Sequence, residues 1–396
     1  MPCRFEDRLA GTALEMEGPC GRVEARTAGE LGPALARIDA ERARGRWVAL
    51  LAEYELGAWL EPGVADDGSR DGPAEGSTAD AAGQFPRLTA LLFERARPTR
   101  PWPAGDTGGA RILEAVPGID ARRHAAGVAE IRERIARGEV YQVNYTLPMR
   151  VRAQGDPAAL YRDIAARHPS AHAAFIRDGR RSVLSFSPEL FVRRQGATLT
   201  CKPMKGTAPR HPDPAEDDRL GRELQASIKN RAENLMIVDL LRNDLGRLAV
   251  PGTVRVEKLF ELERYPSVWT LTSTIHAEAP GAGLEEILRA LFPCGSVTGA
   301  PKIAAMRRIR RLEAAPRGLY CGSLGWLAPD GDFSLNVAIR TLVLDHGDDA
   351  EDPAGVRHGI YGVGGGIVID SDPGQEWREC QWKSRIVAPA LAVPSG

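Results

Sequence analysis

The chain has 396 residues, 43% of them hydrophobic, which is enough to bury one large core or two ordinary ones. Its 52 Lys and Arg residues nearly balance its 53 Asp and Glu residues, so the overall charge favours neither nucleic acid nor an anionic membrane as a partner. The sequence has no apolar run of about 18 residues, no signal-peptide pattern and no CxxC pair among its six cysteines. We therefore expect a cytoplasmic protein with reduced thiols that acts on a small molecule.

The first 110 residues are predicted to form an N-terminal region. Trp47–Gly57 has the apolar density of a strand, whereas 62–84 is rich in Gly, Ala, Asp and Ser and offers almost nothing to bury. We expect 62–84 to be a flexible insertion. A cluster of chain-breaking residues at 98–109 precedes 111–390, where strand and helix patterns alternate. We interpret 111–390 as one catalytic domain.

A helix and a strand open this domain. Apolar residues at helical spacing predict a helix over 122–137, which Gly138 ends. Val140–Tyr145 then has the pattern of a strand. Gln142 is therefore expected on a strand that enters the core.

An acid and a lysine follow on neighbouring strands. The segment SFSPELF contains Glu189, and KPMKGTAPR contains Lys205. A strand, a turn and a second strand would bring the two side chains close together across a substrate. A lysine acts as a nucleophile when burial or its neighbours lower its pKa. The alternative is a solvated hairpin with a surface ion pair.

Two helices carry carboxylates that could hold a cation. Apolar spacing predicts one helix over 217–245, on which Asn230 and Glu233 share a face. A C-terminal helix begins with Asp372 as N-cap, followed by Pro373 at the first helical position and Gln375 at the capping-box position, and one stripe of it carries Glu376, Glu379 and Lys383. Buried carboxylates need a compensating charge, and Mg²⁺ is bound by one or two carboxylates plus waters and substrate oxygens. The alternative is a set of salt bridges along each helix, such as one between residues 379 and 383.

Two glycine-rich turns could bind an anion. GSVTGAPK, residues 295–302, precedes a helix from about Ile303, and GVGGG, residues 362–366, lies between two strand-like segments. Backbone N–H groups converge on anions in such turns, but neither pattern is a nucleotide fingerprint. Each glycine run could instead mark a strand bend or bulge. Arg340, at the end of a strand over 333–339, could grip a carboxylate with both ends of its guanidinium group.

In this order, these motifs resemble those of the chorismate-utilising enzymes, which include component I of anthranilate synthase and of para-aminobenzoate synthase and the isochorismate and salicylate synthases. The likeness covers about Ile112 to Ala388, and Tyr54–Gly57 resembles the N-terminal part of the two component I enzymes. It implies an α+β fold in which two large antiparallel β-sheets form a sandwich flanked by helices.

The resemblance also implies roles for individual residues. Glu233 and Glu379 match the Mg²⁺ ligands and Glu376 an acid that orients metal-bound water, while Asn230 stands where the family usually has Asp or Glu. The positions that match the substrate-binding set are Tyr320, Arg340, Gly364, Gly366, Thr298, Lys302 and Lys383.

Three positions separate the family members. Gln142 stands where isochorismate and salicylate synthases carry a lysine base, and Lys205 stands where anthranilate synthases have a small residue. Thr270 replaces the histidine that anthranilate synthases use when pyruvate is eliminated. The chain is therefore closest to component I of para-aminobenzoate synthase, in which the lysine forms a covalent intermediate and ammonia gives 4-amino-4-deoxychorismate. Glu189 matches the general acid/base of that reaction.

The source of ammonia is expected to be a separate glutamine amidotransferase subunit. Cys294 has no histidine in a recognisable partner context, so it is not expected to act as a glutaminase nucleophile. Two alternatives stay open at this point. The chain could be anthranilate synthase component I, or a non-catalytic subunit that binds chorismate for regulation.

Overall fold

Helices and strands make up most of the described part of the chain. The computed structural model describes residues 2–64, 85–105, 108–265, 268–346 and 355–388. The insertion predicted at 62–84 lies outside the described residues from position 65 onward. Helices α1 to α9 span Ala28–Ala43, Gly57–Leu60, Ala121–Ala136, Pro157–Arg167, Pro214–Ala226, Ile228–Gly246, Leu284–Leu291, Lys302–Leu312 and Pro373–Lys383.

The strands are all linked by antiparallel pairing. Strands β1 to β18 span Cys3–Asp7, Thr12–Ala25, Trp47–Ala52, Leu88–Thr99, Arg111–Pro117, Gln142–Gln154, His172–Arg177, Arg181–Ser187, Leu190–Gln195, Thr198–Lys202, Met204–Pro209, Arg255–Arg264, Val268–Glu278, Gly299–Ala300, Ser323–Leu327, Phe333–Val337, Thr341–Asp345 and Val356–Ile367. The pairing runs from β12 through β13, β10, β9, β16, β15, β3, β4, β2, β1, β7, β8, β17, β18 and β6 to β5. The short strands β11 and β14 add to β13 and β6.

This sheet folds back on itself into two layers that share a core. Ala49 and Leu51 of β3 and Phe93 of β4 pack in one cluster with Ile176 of β7 and Val183 of β8. Helix α6 packs against β13, and α9 packs against β18. The predicted α+β class is confirmed. The two layers are joined because β1 pairs with both β2 and β7.

The N-terminal region and the predicted catalytic domain share this sheet. Strand β1 of the N-terminal region pairs with β7, and β3 pairs with β15 along five residue pairs. The predicted boundary near residue 110 falls between β4 and β5. Backbone hydrogen bonds therefore connect the two predicted parts, and their independence as domains stays a prediction.

The helix predicted over 217–245 is wrong, because the structure has two helices there. Helix α5 ends at Ala226 and α6 begins at Ile228. Ser227 lies between them with an extended ψ of 112°, and its hydroxyl accepts a hydrogen bond from Asn230 N at 3.3 Å. A serine that caps the second helix thus interrupts an apolar pattern that continues through it. The predictions for α3 and α9 agree with the structure to within one residue at each predicted end.

One local prediction beside the site is wrong and another agrees with the structure. The run 362–366 is not a turn, because it lies inside β18 and pairs with β6, a segment distant in the chain, residue by residue. The strand, turn and strand predicted between Glu189 and Lys205 are present as the β9–β10 hairpin, in which Lys202 pairs with Leu190. Lys205 itself lies just beyond this hairpin, in β11, which pairs with β13. Arg340 follows β16 and precedes β17, close to the predicted strand end.

Two further properties concern the described residues as a whole. No helix among them is long and apolar enough to cross a membrane. All six cysteines are free thiols, and five of them are buried.

Candidate active site

The site centres on Lys205, which lies in β11 opposite α6. Its ammonium interacts with the carboxylates of Glu233, Glu189 and Glu379 and with the ammonium of Lys383. Burial lowers the pKa of Lys205 below its ordinary value, while Glu233 and Glu189 act to raise it. The net shift of this pKa is downward, so the amine of Lys205 becomes neutral at a lower pH than the amine of an exposed lysine does. A neutral amine is the form that can act as a nucleophile.

Glu189 lies between β8 and β9 and is 4% exposed. Its backbone N–H donates to Ser187 Oγ at 3.3 Å, and its carbonyl accepts from Val337 N at 3.0 Å. Burial raises the pKa of Glu189 to about 6, although the Ser296 hydroxyl and Lys205 act to lower it. Oε1 has no hydrogen-bond partner in the part of the chain that the structure describes. A carboxyl group with a raised pKa is suited to proton transfer.

Three carboxylates project from α6 and α9. Burial raises the pKa of Glu233 against the pull of Lys205, and it also raises the pKa of Glu376. Burial alone would raise the pKa of Glu379 as well, but Lys383 outweighs this effect, and the pKa is lowered. The Lys383 ammonium bonds Glu379 Oε1 at 2.7 Å. Three acids therefore face a region in which Lys205, Lys383 and Lys229 supply positive charge.

These residues fit a hard cation that keeps part of its water shell. No group of three or more His, Cys, Asp or Glu side chains in the described ranges is arranged to hold a metal by itself. Mg²⁺ needs only one or two protein carboxylates when waters and substrate oxygens complete its shell. Gly365 leaves space beside the acids, because a Cβ there would lie 3.0 Å from Glu376 Oε2 and 3.8 Å from Glu379 Oε1. The arrangement suits Mg²⁺ shared with a substrate.

The glycines of β18 let side chains approach its backbone. A Cβ on Gly366 would collide with Gln142 Nε2 and lie 3.4 Å from Lys205 Nζ. The carbonyl oxygen of Gly364 accepts a hydrogen bond from Lys383 Nζ at 2.7 Å, and the ring of Tyr320 lies against Gly362. The glycine run therefore forms one wall of the site.

Arg340 reaches the same region from the loop between β16 and β17. It is a non-glycine residue in the left-handed region, with φ of +50°, and such conformations collect at functional sites. Burial lowers the pKa of the Arg340 guanidinium, while Tyr361, Tyr265 and Glu189 act to raise it. This guanidinium, beside Glu189, can donate two parallel hydrogen bonds to a carboxylate.

Thr298 and Lys302 are bonded within the GSVTGAPK segment and its surroundings. Thr298 Oγ1 donates to the carbonyl oxygens of Cys294 and Gly295, each at 3.2 Å. Lys302 Nζ bonds Asp244 Oδ2 at 2.6 Å and Leu291 O at 3.2 Å. These bonds hold the segment together, and contact of either side chain with substrate stays a prediction.

The structure adds Ser296, which the sequence pattern did not single out, and gives a new property to Gln142. The hydroxyl of Ser296 acts on the carboxylate of Glu189, and the amide oxygen Oε1 of Gln142 is buried with no partner among the described residues. Ser296 belongs to the GSVTGAPK segment, so that motif was the sequence signal that could have identified it. Gln142 was noted only as the residue that replaces a lysine base.

A cavity of about 1010 Å³ lies away from this cluster. Glu53, Phe85 and Arg181 line it on one side, and residues of β18 and α8 line it on the other. Neither Lys205 nor Glu189 is among its lining residues. The chemistry described above is therefore concentrated around the amine and not in this larger space.

Protein-family and sequence comparisons both find chorismate-utilising enzymes similar to this chain. The model of the chorismate binding enzyme family matches residues 35–389. Anthranilate synthase component 1 of Streptomyces coelicolor is 40% identical over 81% of this chain and 62% of its own length. Aminodeoxychorismate synthase component 1 of Escherichia coli is 40% identical over 63% of this chain and 53% of its own length. Aminodeoxychorismate synthase of Streptomyces pristinaespiralis is 42% identical over 68% of this chain and 36% of its own length. The chain thus spans between about a third and two thirds of these relatives, and both enzyme names occur at similar identity.

Solved structures show the same fold. Anthranilate synthase component I from Streptococcus pneumoniae aligns with a TM-score of 0.77 at 22% identity and covers 95% of this chain and 92% of its own. A putative 2,3-dihydroxybenzoate-specific isochorismate synthase from Bacillus anthracis aligns with a TM-score of 0.74 at 20% identity and covers 97% and 94%. At these identities the likeness establishes the architecture only.

Proposed function

The chain belongs to the chorismate-binding enzyme family, and from that premise we propose that it is an aminodeoxychorismate synthase component I. In this role it converts chorismate and ammonia to 4-amino-4-deoxychorismate. The observation that carries the proposal is the amine of half-buried Lys205, which interacts with the carboxylates of Glu233, Glu189 and Glu379 and whose pKa is lowered by desolvation. An anthranilate-type reaction has no use for a nucleophilic amine at this position.

The reaction takes place in two displacements. The neutral amine of Lys205 attacks C2 of the chorismate ring, both ring double bonds shift by one position toward C4, and the C4 hydroxyl leaves as water with the proton of Glu189. Ammonia then attacks C4 and passes a proton to the Glu189 carboxylate, both double bonds shift back, and the bond between Lys205 and C2 breaks. Nitrogen therefore enters at the carbon that lost oxygen, and the free amine is regenerated.

Other residues of the site bind and orient the substrate. Arg340 pairs with a carboxylate of chorismate, and Tyr320 and the glycine wall at 364–366 shape the space for the ring. Glu233 and Glu379 would hold Mg²⁺, with Glu376 ordering its waters, and the ion would supply positive charge to the ring carboxylate and to the departing oxygen. Lys383 keeps Glu379 ionised.

Ammonia reaches the site from a glutamine amidotransferase partner. The relatives named as component 1 imply a second subunit. Cys294 is buried, and burial raises the pKa of its thiol, so a thiolate nucleophile is disfavoured there. Externally added ammonium should bypass the partner.

The direct test is mass spectrometry of the protein mixed with chorismate and Mg²⁺ in the absence of ammonia. We expect an adduct on Lys205, and its loss in Lys205→Ala. Lys202→Ala serves as the matched control, because Lys202 lies three residues earlier and pairs with Glu263 at a half-exposed position. The control variant should keep the adduct.

Product analysis with ammonium then separates the rival functions. We expect 4-amino-4-deoxychorismate from the unmodified chain and none from Lys205→Ala. Fluorescent anthranilate would assign the chain to anthranilate synthase. Binding of chorismate with no product at any ammonium concentration would assign it to a non-catalytic regulatory subunit.

A further inference from the structure

Two positions at which the chain differs from its family pattern meet at one glycine. Thr270 Oγ1 donates a hydrogen bond to the carbonyl oxygen of Gly206 at 3.0 Å. From the other side, the side chain of Asn230 approaches so closely that a Cβ on Gly206 would lie 3.1 Å from its Oδ1. Gly206 directly follows Lys205 in β11. The two substitutions therefore act on the backbone next to the amine.

Gly206 is the extra residue of a β-bulge. Lys205 pairs with Leu271 and Thr207 pairs with Thr270, so the register shifts across Gly206. Gly206 has φ of +82°, which glycine adopts without strain. A bulge redirects the side chains beside it, and a shift of one residue moves a side chain to the opposite face of a sheet. The bulge thus decides whether Lys205 faces α6 and its carboxylates.

The bond from Thr270 compensates for a defect in the ladder. A bulge leaves the extra residue without its ordinary backbone partner. Gly206 is half-exposed, but its carbonyl faces the buried Thr270 of β13, where an unpaired carbonyl would be costly. Thr270 is fully buried and supplies that partner. Thr272, two residues further along β13 and equally buried, has a hydroxyl with no partner in the described part of the chain. The hydrogen bond is therefore specific to the bulge.

We propose that Thr270 and Asn230 are positioning residues that hold the Gly206 bulge from two sides and so keep the amine of Lys205 directed at the substrate. This inference rests on the proposed role of Lys205 as nucleophile. Where the resemblance gives anthranilate synthases an imidazole, this chain has a hydroxyl that anchors the backbone. The replacement of histidine by Thr270 thus removes a base and holds the nucleophile Lys205 in position.

The first experiment replaces Thr270 with valine, which keeps its shape and removes its hydroxyl. We expect the turnover number with chorismate and ammonium to fall at least about tenfold, since small displacements of a reacting group are costly to rate. The Michaelis constant for chorismate should change less than about twofold, because the carboxylate-binding residues are untouched. Thr270→Ser, which restores the hydroxyl, should recover activity to within about threefold of the unmodified chain.

A second readout does not depend on turnover. The rate at which an amine reagent labels Lys205 at one fixed pH, followed by peptide mass spectrometry, reports how accessible that amine is. The amine of the unmodified chain lies against the glycine wall, 3.4 Å from where a Cβ on Gly366 would lie, so an amine released toward solvent should be labelled faster. We expect this faster labelling in Thr270→Val, and a smaller increase in Asn230→Ala.

Thr272→Val is the matched control. It removes a hydroxyl from the same strand without breaking a hydrogen bond among the described residues. It should leave both the turnover number and the labelling of Lys205 unchanged. If Thr270→Val does not fold, as judged by its thermal unfolding, Asn230→Ala provides the test, because its side chain is only partly buried.

The outcomes separate the two proposals. If Thr270→Val and Asn230→Ala label and turn over like Thr272→Val, the positioning role is refuted and the proposed function is unaffected. If the unmodified chain forms no adduct with chorismate, the proposed function fails. In that case faster labelling of Lys205 in Thr270→Val still supports control of Lys205 by the bulge.

Discussion

At the scale of single residues, burial acts on the two central groups in opposite directions. It lowers the pKa of Lys205 and raises the pKa of Glu189 to about 6. The pKa of an amine that must lose its proton and the pKa of a carboxyl group that must keep one are thereby brought closer together. Pairs of groups whose environments shift their pKa values in this way are typical of acid/base sites.

The pH dependence of catalysis follows from these shifts. Above about pH 6 Glu189 loses the proton that it donates, which puts a downward bend in the profile of kcat/KM. In Glu189→Gln the residual activity should show no bend there and should rise until Lys205 is deprotonated. Glu263→Gln, which changes a carboxylate that pairs with Lys202 instead, should keep the bend. A bend near pH 6 in Glu189→Gln would assign that titration to another group.

At the scale of elements, the helix ends decide where the acids lie. Ser227 caps the start of α6, which is therefore a helix separate from α5. Glu233 projects toward β11 from the second turn of α6. Asp372 caps α9 by accepting a hydrogen bond from Gln375 N at 2.8 Å, and the next two turns carry Glu376 and Glu379. A capped N-terminus keeps those turns helical and their side chains on one stripe.

Removal of the α9 cap should affect both stability and cation binding. We expect Asp372→Ala to lower the free energy of unfolding by about 1 kcal/mol, measured by denaturant titration. The Mg²⁺ concentration that half-saturates activity should rise about two- to fivefold as the first turn frays. Asp372→Asn keeps a capping oxygen and should behave like the unmodified chain. Unchanged Mg²⁺ dependence in Asp372→Ala would show that the cap does not hold the acids in place.

At the scale of the whole molecule, buried charges tie the two layers of the sheet together. Arg181 begins β8 and is fully buried, and it bonds Glu53, just after β3, at 2.9 Å. It also bonds Asp178 at 3.0 Å, and its guanidinium lies over the ring of Phe85. Burial raises the pKa of Glu53 to about 7, against the pull of Arg181. This contact joins the N-terminal region to the remainder of the fold.

Loss of this arginine should destabilise the whole fold. Arg181→Ala leaves the buried carboxylate of Glu53 without the arginine that it bonds and Asp178 paired with Arg22, and we expect the free energy of unfolding to fall by about 3–5 kcal/mol. Arg180→Ala removes an exposed neighbour that pairs with Glu24, and should change stability by less than about 0.5 kcal/mol. Thermal or denaturant unfolding of the two variants measures the difference. Equal stability of both variants would contradict the role of the buried ion pairs.

The α+β class and several helix ends could be predicted from the sequence, but the register of the strands could not. The caps of α3 and α9 are local signals, since Asp120 and Asp372 bond a backbone group three residues later. The run at 362–366 was misinterpreted because its conformation depends on pairing with β6, a segment distant in the chain. The break at Ser227 was missed because the apolar spacing continues through it.

The sequence by itself determined which residue types are available: a lysine in KPMKG, an acid in SFSPE, and acids at helical spacing on two helices. These follow from covalent spacing and local capping, which need no distant partner. Only the tertiary structure decided that Lys205 faces Glu233 and Glu379, that Glu189 is buried, and that Thr270 bonds Gly206. Among the residues that the structure describes, Glu189 Oε1 has no hydrogen-bond partner. These properties depend on strand register and burial, which arise when segments far apart in the chain pack together.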